Sequence, residues 1–255
     1  MPMPMPIPVT LPRRAWGDPA SPRHALLVHG LGSNGALMWR FGVALADAGW
    51  HAVAVDLRGH GTAPRALDYT IAAYAADIAA TRPAPPAAWD LVIGHSLGGA
   101  AATVAAADDS AWAHRLVLID PGIHLSEHNR EQTRLGQQAS FADPSAEAIR
   151  AANPTWHEQD VELKLISLRQ ASPWAVDQTI LQNSPWDVRD AAARLSVPAH
   201  VIAADPSLDS IFSGEGACEV LQNPVFTMSV VAGAGHSPHR DKPEETMAQL
   251  HEALA

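Results

Sequence analysis

The chain has 255 residues, 47% of them hydrophobic and 17% charged, with 21 prolines and 17 glycines; this is the composition of a packed globular protein with many short turns, one large domain or a domain with a lid. A formal charge of −10, from 17 basic and 27 acidic side chains, leaves no basic stripe to displace counterions, so nucleic acid is not an expected partner. Cys218 is the single cysteine, which rules out an internal disulfide and a thiolate-built zinc cluster and makes a cytoplasmic location the expectation.

The chain opens on "MPMPMPIPVTLPRRAW", where prolines impose extended backbone instead of the apolar helix of a signal peptide. No uncharged apolar run approaches the roughly 18 to 20 residues of a membrane span, so no membrane partner is expected. Four near-continuous apolar runs follow: "HALLVHG" (24–30), "HAVAVD" (51–56), "WDLVIG" (89–94) and "RLVLID" (115–120). Strands of this kind are buried on both faces, as in a parallel sheet covered by helices. Helical spacing of apolar residues fills 36–49, 70–82 and 98–109 between them. Repeated strand–helix–strand units predict right-handed crossovers and a doubly wound sheet.

Over 122–187 the pattern turns polar. The stretch carries Trp156, Trp174 and Trp186 and reads as helices at 126–140, 144–152, 158–171 and 173–183, with no strand. The earlier rhythm then resumes with a strand at 199–205, a helix at 214–222, a strand at 226–233 and a helix from about 243 to 254. The expected organisation is a core of residues 1–121 and 188–255 interrupted by a helical insertion.

In "DLVIGHSLGG" the strand ends at Gly94 and a helix begins near Leu97, leaving Ser96 at the corner. A turn this tight crowds the backbone, and small residues at 94 and 98 are what it demands. A serine before a helix is also a common N-cap. A hydroxyl becomes a useful nucleophile only if a base removes its proton and a carboxylate orients that base. The base is assigned to His236 in "VVAGAGHSPHRDKPEE"; His239, three residues on, is the competing candidate and is read as a surface or supporting histidine. Two strand ends offer the acid: "HVIAADPSLDSIF" has Asp205 and Asp209, and "LVLIDPG" has Asp120, 24 residues after Ser96. Asp56 and Arg58 in "DLRGHG" read as structural. Leu97 can supply one oxyanion N–H, and Leu31 in "LLVHGLGSN" a second, each worth roughly 3 kcal/mol in a transition state.

In their order, "HGLGS", "DLRGHG", "GHSLGG" and "GAGH" resemble the α/β-hydrolase fold family over essentially the whole chain from about residue 24. The resemblance implies a mostly parallel, doubly wound sheet flanked by helices, with a helical cap inserted after the sixth strand at 122–187. It places the acid after the strand that follows the cap, which makes Asp205 the first choice; Asp120, on the preceding strand, is the alternative. The space before residue 24 looks too short for the usual leading hairpin, so one edge strand is expected to be missing. The implied activity is that of a serine esterase or lactonase, acting without metal or organic cofactor on a small apolar or aromatic molecule. "GLGSNG" lacks the spacing of a dinucleotide loop. Trp156, Trp174 and Trp186 either line the substrate site or hold the cap helices together. Similar folds also host carbon–carbon bond hydrolases and cofactor-free dioxygenases, and a hydrolase-like ligand receptor with little turnover is the non-enzymatic alternative.

Overall fold

The structure is a computed structural model that describes residues 6–83 and 87–255. The first five residues of the Met-Pro repeat lie outside the described residues. Five strands precede the insertion: β1 (Arg13–Trp16), β2 (His24–Val28), β3 (His51–Val55), β4 (Leu91–His95) and β5 (Leu116–Ile119). Between them run α1 (Trp39–Asp47), α2 (Ile71–Ala79) and α3 (Leu97–Asp108). The chain then leaves the sheet through β6 (His124–Leu125), α4 (Glu127–Ala142), α5 (Ala146–Ala152), α6 (Glu158–Gln170), α7 (Pro173–Gln182) and β7 (Trp186–Asp187). It returns with α8 (Arg189–Arg194), β8 (Ala199–Ala203), α9 (Gly214–Val220), β9 (Phe226–Val230), α10 (Pro238–Asp241) and α11 (Pro243–Leu254).

The sheet has seven strands in the order β1-β3-β2-β4-β5-β8-β9, parallel except for β1. The near-continuous apolar runs are explained by their two faces. Leu26 and Val28 pack with Val53, Val55 and Val92 under α2 and α3, whereas Ala25 and Leu27 pack with Ile93, Phe41 and Leu45 on the α1 and α11 side. Both faces are dry, so alternation disappears from the sequence. Strand order reverses between β2 and β4, and the carboxyl ends at such a reversal form the crevice where open α/β sheets bind ligands.

Among the described residues a single edge strand leads into the sheet where the usual hairpin would supply two, so one edge strand is missing, as the sequence led us to expect. β1 pairs antiparallel with β3, from Arg13↔Val55 to Trp16↔Ala52. Its "RRAW" carries charge on an exposed edge, a composition that blocks further pairing and hides the strand from an apolar-run reading. One leading strand replaces a hairpin, so the insertion follows the fifth strand of this sheet and not the sixth.

The insertion begins and ends on a two-strand clasp, with His124 opposite Asp187 and Leu125 opposite Trp186. Its helices start where side chains can accept their free N–H groups: Ser126 from Asn129, Ser145 from Ala148, His157 from Gln159 and Ser172 from Ala175. Ile149, Val161 and Leu168 form a small apolar cluster of their own. No described helix is long and apolar enough to cross a membrane.

Candidate active site

β4 hands over to α3 at Ser96, whose φ of 53° and ψ of −117° lie in the left-handed region that few side-chain-bearing residues adopt. The glycines around it are steric requirements. A Cβ at Gly98 would come within 2.4 Å of Val28 O and 2.6 Å of His29 O, and one at Gly94 within 2.6 Å of Gly98 O. The backbone at the corner is fixed by Ser96 N–H donating to Ile119 O at 3.1 Å and Gly122 N–H donating to Ser96 O at 3.1 Å. The Ser96 hydroxyl makes no capping bond to α3. It lies 3.0 Å from His236 Nε2 instead.

His236 stands on the loop after β9, and its Nδ1 donates to Asp120 Oδ2 at 2.7 Å. Asp120 ends β5 with a φ of 36° and no exposed surface. Its Oδ1 accepts from Ser210 Oγ at 2.6 Å and Ala204 N–H at 3.2 Å, and its Oδ2 accepts also from Ile211 N–H at 3.0 Å. Burial pushes the carboxyl up, but the bonds from His236, Ser210 and Ile211 outweigh it and hold the group below its ordinary value. The carboxylate expected first, Asp205, is turned away from the imidazole. It accepts from Ser207 N–H at 2.9 Å and Ser207 Oγ at 2.6 Å, closing its own turn, and from Gly233 N–H at 2.8 Å, which ties that turn to the loop carrying His236. Asp209 accepts from His236 N–H at 2.9 Å and holds that residue's backbone.

His239 is buried against Phe41, with ring centroids 5.2 Å apart, and burial pushes its pKa well down. His95 stood unremarked inside the serine motif. Its Nε2 donates to His236 O at 2.9 Å, and its ring lies 4.9 Å from that of His236. Its position directly before Ser96 was the available signal. Ser210 and Ile211, which complete the shell of Asp120, had none.

Leu31 follows a glycine that touches the corner. A Cβ at Gly30 would come 3.0 Å from Ser96 Cβ. Leu57 N–H donates to His29 Nε2 at 3.0 Å, so Nδ1 carries the ring proton and donates to Gly30 O at 2.7 Å. A trans peptide sets N–H opposite C=O, so the Leu31 N–H is turned away from the His29 ring. Leu97 is the first residue of α3, where an N–H has no intrahelical partner. Asp56 braces the same region: Oδ1 accepts from Gly35 N–H at 2.8 Å and Oδ2 from Thr62 N–H at 2.9 Å, while Arg58 pairs with Asp77 at 2.6 Å.

The three tryptophans are separated. Trp186 is buried and donates from Nε1 to Gly122 O at 2.7 Å, which steadies the loop after Asp120. Trp156 donates to Asp241 Oδ1 at 2.7 Å, under the guanidinium of Arg240. Trp174 is 49% exposed and meets Tyr69 edge-on. None of them lines the cavity of about 380 Å3 between α4 and α7, whose walls are Phe141, Pro173, Val176 and Ile180, with Gln137 and the Arg134–Asp177 ion pair. Gln137 also reaches the loop after β2, 3.5 Å from Leu31 O. Among the described residues no group of three or more His, Cys, Asp or Glu side chains is placed to hold a metal ion.

A hydroxyl, an imidazole and a buried carboxylate in line can pass a proton from serine to histidine while the charge is stabilised. Comparison with known proteins bears on the fold and the family. Lipase LipV of Mycobacterium tuberculosis (strain ATCC 25618 / H37Rv) is 31% identical over 144 residues, 56% of this chain and 54% of the lipase. The putative carbamate hydrolase RutD of Variovorax paradoxus (strain S110) is 36% identical over 113 residues, 44% of this chain and 42% of its own. The chain thus spans about half the length of the curated relatives it matches. In fold it is similar to the solved esterase EaEST of Exiguobacterium antarcticum, with a TM-score of 0.79 at 16% identity over 96% of this chain and 95% of that one. The family described as the alpha/beta hydrolase family matches residues 25–250, from the second strand of the sheet to the last helix, and the chain belongs to it.

Proposed function

We propose that the protein is a serine hydrolase that cleaves a carboxylic ester or lactone of a small apolar or aromatic molecule through an acyl-enzyme. The observation that carries the reading is the imidazole of His236 held between Ser96 Oγ at 3.0 Å and Asp120 Oδ2 at 2.7 Å. Ser96 attacks the carbonyl carbon as its proton passes to His236 Nε2, and Asp120 stabilises the imidazolium. The N–H groups of Leu31 and Leu97 receive the oxyanion. The imidazolium returns its proton to the leaving alcohol; water, activated by the same ring, then releases the acid.

The helical insertion is read as the cap of this site, and the apolar cavity between α4 and α7 as the place of the substrate's apolar part. The name of the lipase relative supports ester chemistry.

The test is an organophosphate probe followed by a panel of aryl esters and lactones, assayed with and without oxygen. Expected are stoichiometric labelling of Ser96, turnover unaffected by oxygen, and loss of both in Ser96→Ala. Turnover surviving in Ser96→Ala overturns the reading. An absolute requirement for oxygen identifies a dioxygenase on the same fold.

A further inference from the structure

In a trans peptide each N–H is tied in direction to the carbonyl before it. Whatever holds the carbonyls of the loop after β2 therefore aims its donors. Gly30 O is held from the core, by His29. The next two carbonyls are held from the insertion. Lys164 Nζ donates to Gly32 O at 2.8 Å, Ser167 Oγ approaches the same oxygen at 3.3 Å, and Gln137 Nε2 reaches Leu31 O at 3.5 Å.

The contacts continue along the chain. Gln170 Oε1 accepts from Asn34 Nδ2 at 3.0 Å, and Asn34 Oδ1 in turn accepts from Leu37 N–H. Asp160, fully buried, accepts from Trp39 Nε1 at 2.9 Å and Arg40 Nη2 at 2.6 Å. Asp160, Lys164, Ser167 and Gln170 are spaced by four, three and three residues, so they share one stripe of α6, laid along residues 32–40. Gly32 has a φ of 65°, and a Cβ there would collide with Gln137 Oε1 at 2.1 Å, so the place of a packed side chain is taken by the insertion.

We infer that α6 is a fixed splint for the oxyanion loop and that Lys164 is the positioning residue through which it acts: by pinning the Gly32 carbonyl, two peptide units beyond the Leu31 N–H, it keeps the loop that carries the Leu31 donor in place, an inference that rests on the hydrolase reading above. Burial and the nearby Arg240 guanidinium push the Lys164 ammonium down to about 7, in keeping with a side chain drawn out of water onto a backbone carbonyl. Seating of the insertion and readiness of the site are then one event: where α6 lifts, the loop loses its outer support.

Lys164→Met, Lys164→Arg and Ser167→Ala are to be compared in the full chain on a matched pair of oxo and thiono aryl esters. A thiocarbonyl sulfur is a weak, distant acceptor, so the thiono rate depends less on donors aimed at an oxyanion. Lys164→Met should lower kcat on the oxo ester roughly 10- to 100-fold, less than the 10²- to 10³-fold of a deleted donor, with KM within about twofold. The oxo/thiono rate ratio should fall by a similar factor. Lys164→Arg, which keeps a donor, should recover most of the ratio, and Ser167→Ala should fall between. Both rates come from the same folded molecules, so partial unfolding cannot mimic a change in their ratio. A Lys164→Met enzyme that loses both rates equally, keeps both, or changes only KM overturns the inference. If Ser96→Ala abolishes turnover and the ratio in Lys164→Met does not move, the splint alone fails; if Ser96→Ala remains active, the hydrolase reading fails with it.

Discussion

Asp120 is the residue on which the electrostatics of the site converge, because it is fully buried and holds a ring nitrogen, a hydroxyl and backbone N–H groups on two oxygens. Asp120→Asn keeps the shape but donates to the imidazole where the carboxylate accepted, and the wrong tautomer follows. Turnover should fall on the order of 10⁴-fold with the circular dichroism spectrum unchanged. Asp205→Asn should stay within a few-fold of the parent, because that side chain bonds Ser207 and the Gly233 backbone and not the imidazole. Equal losses in the two variants contradict the assignment. Both aspartates stand at a strand end before a proline, in "IDPG" and "ADPS". What separates them is the 209–212 loop, which folds Ser210 and Ile211 over Asp120 across some 90 residues, and no local pattern encodes that. Ser96 and His236 were legible because the elbow imposes glycines at fixed offsets and the histidine follows the last strand in a glycine-rich loop.

The elbow and the clasp show how far elements could be read. Strands β2 to β5 and β8 announce themselves through dry apolar runs, the edge strand β9 through an apolar run that is partly exposed, and the four insertion helices through the spacing of their apolar residues. β1, α8, α10 and the clasp strands β6 and β7 do not: β1 is a charged edge, and the others are too short for a periodicity to develop, so the 122–187 stretch read as strandless in fact begins and ends on strand. At the elbow, Gly98→Ala should destabilise the protein by roughly 1–3 kcal/mol, since the new methyl meets carbonyl oxygens that move only if β2 moves. A lower urea midpoint with an unchanged slope is the expected record. The tryptophans divide in the same assay. Trp186→Phe strips the buried Gly122 carbonyl of its donor and should cost about 1–3 kcal/mol, whereas Trp174→Ala, at a half-exposed site, should cost under about 1 kcal/mol.

Across the whole molecule, four histidines are buried in two ring pairs, His29 with His60 and His95 with His239. Burial pushes His29 down to about 4 and His60 to about 3, and takes His95 and His239 well below the ordinary 6.5. The unfolded chain therefore binds more protons than the folded one between about pH 6.5 and 4, and stability must fall as pH drops through that window. The limit is roughly 1.4 kcal/mol per pH unit for each ring. Urea midpoints measured from pH 7 to 5 should decline accordingly, and His29→Gln should flatten the decline by about one proton. Asp120 adds a separate loss lower down: held below its ordinary value, it contributes stability above about pH 4 that disappears as acid protonates it. The clasp of His124–Leu125 with Trp186–Asp187 also has an evolutionary reach. Once the two ends of an excursion are joined, each doubling of its length costs only about 0.6 kcal/mol of closure entropy. Turns between the insertion helices can thus be lengthened at little cost as long as the α6 stripe keeps its hold on residues 32–40, so that selectivity is free to diverge over an unchanged chemical platform.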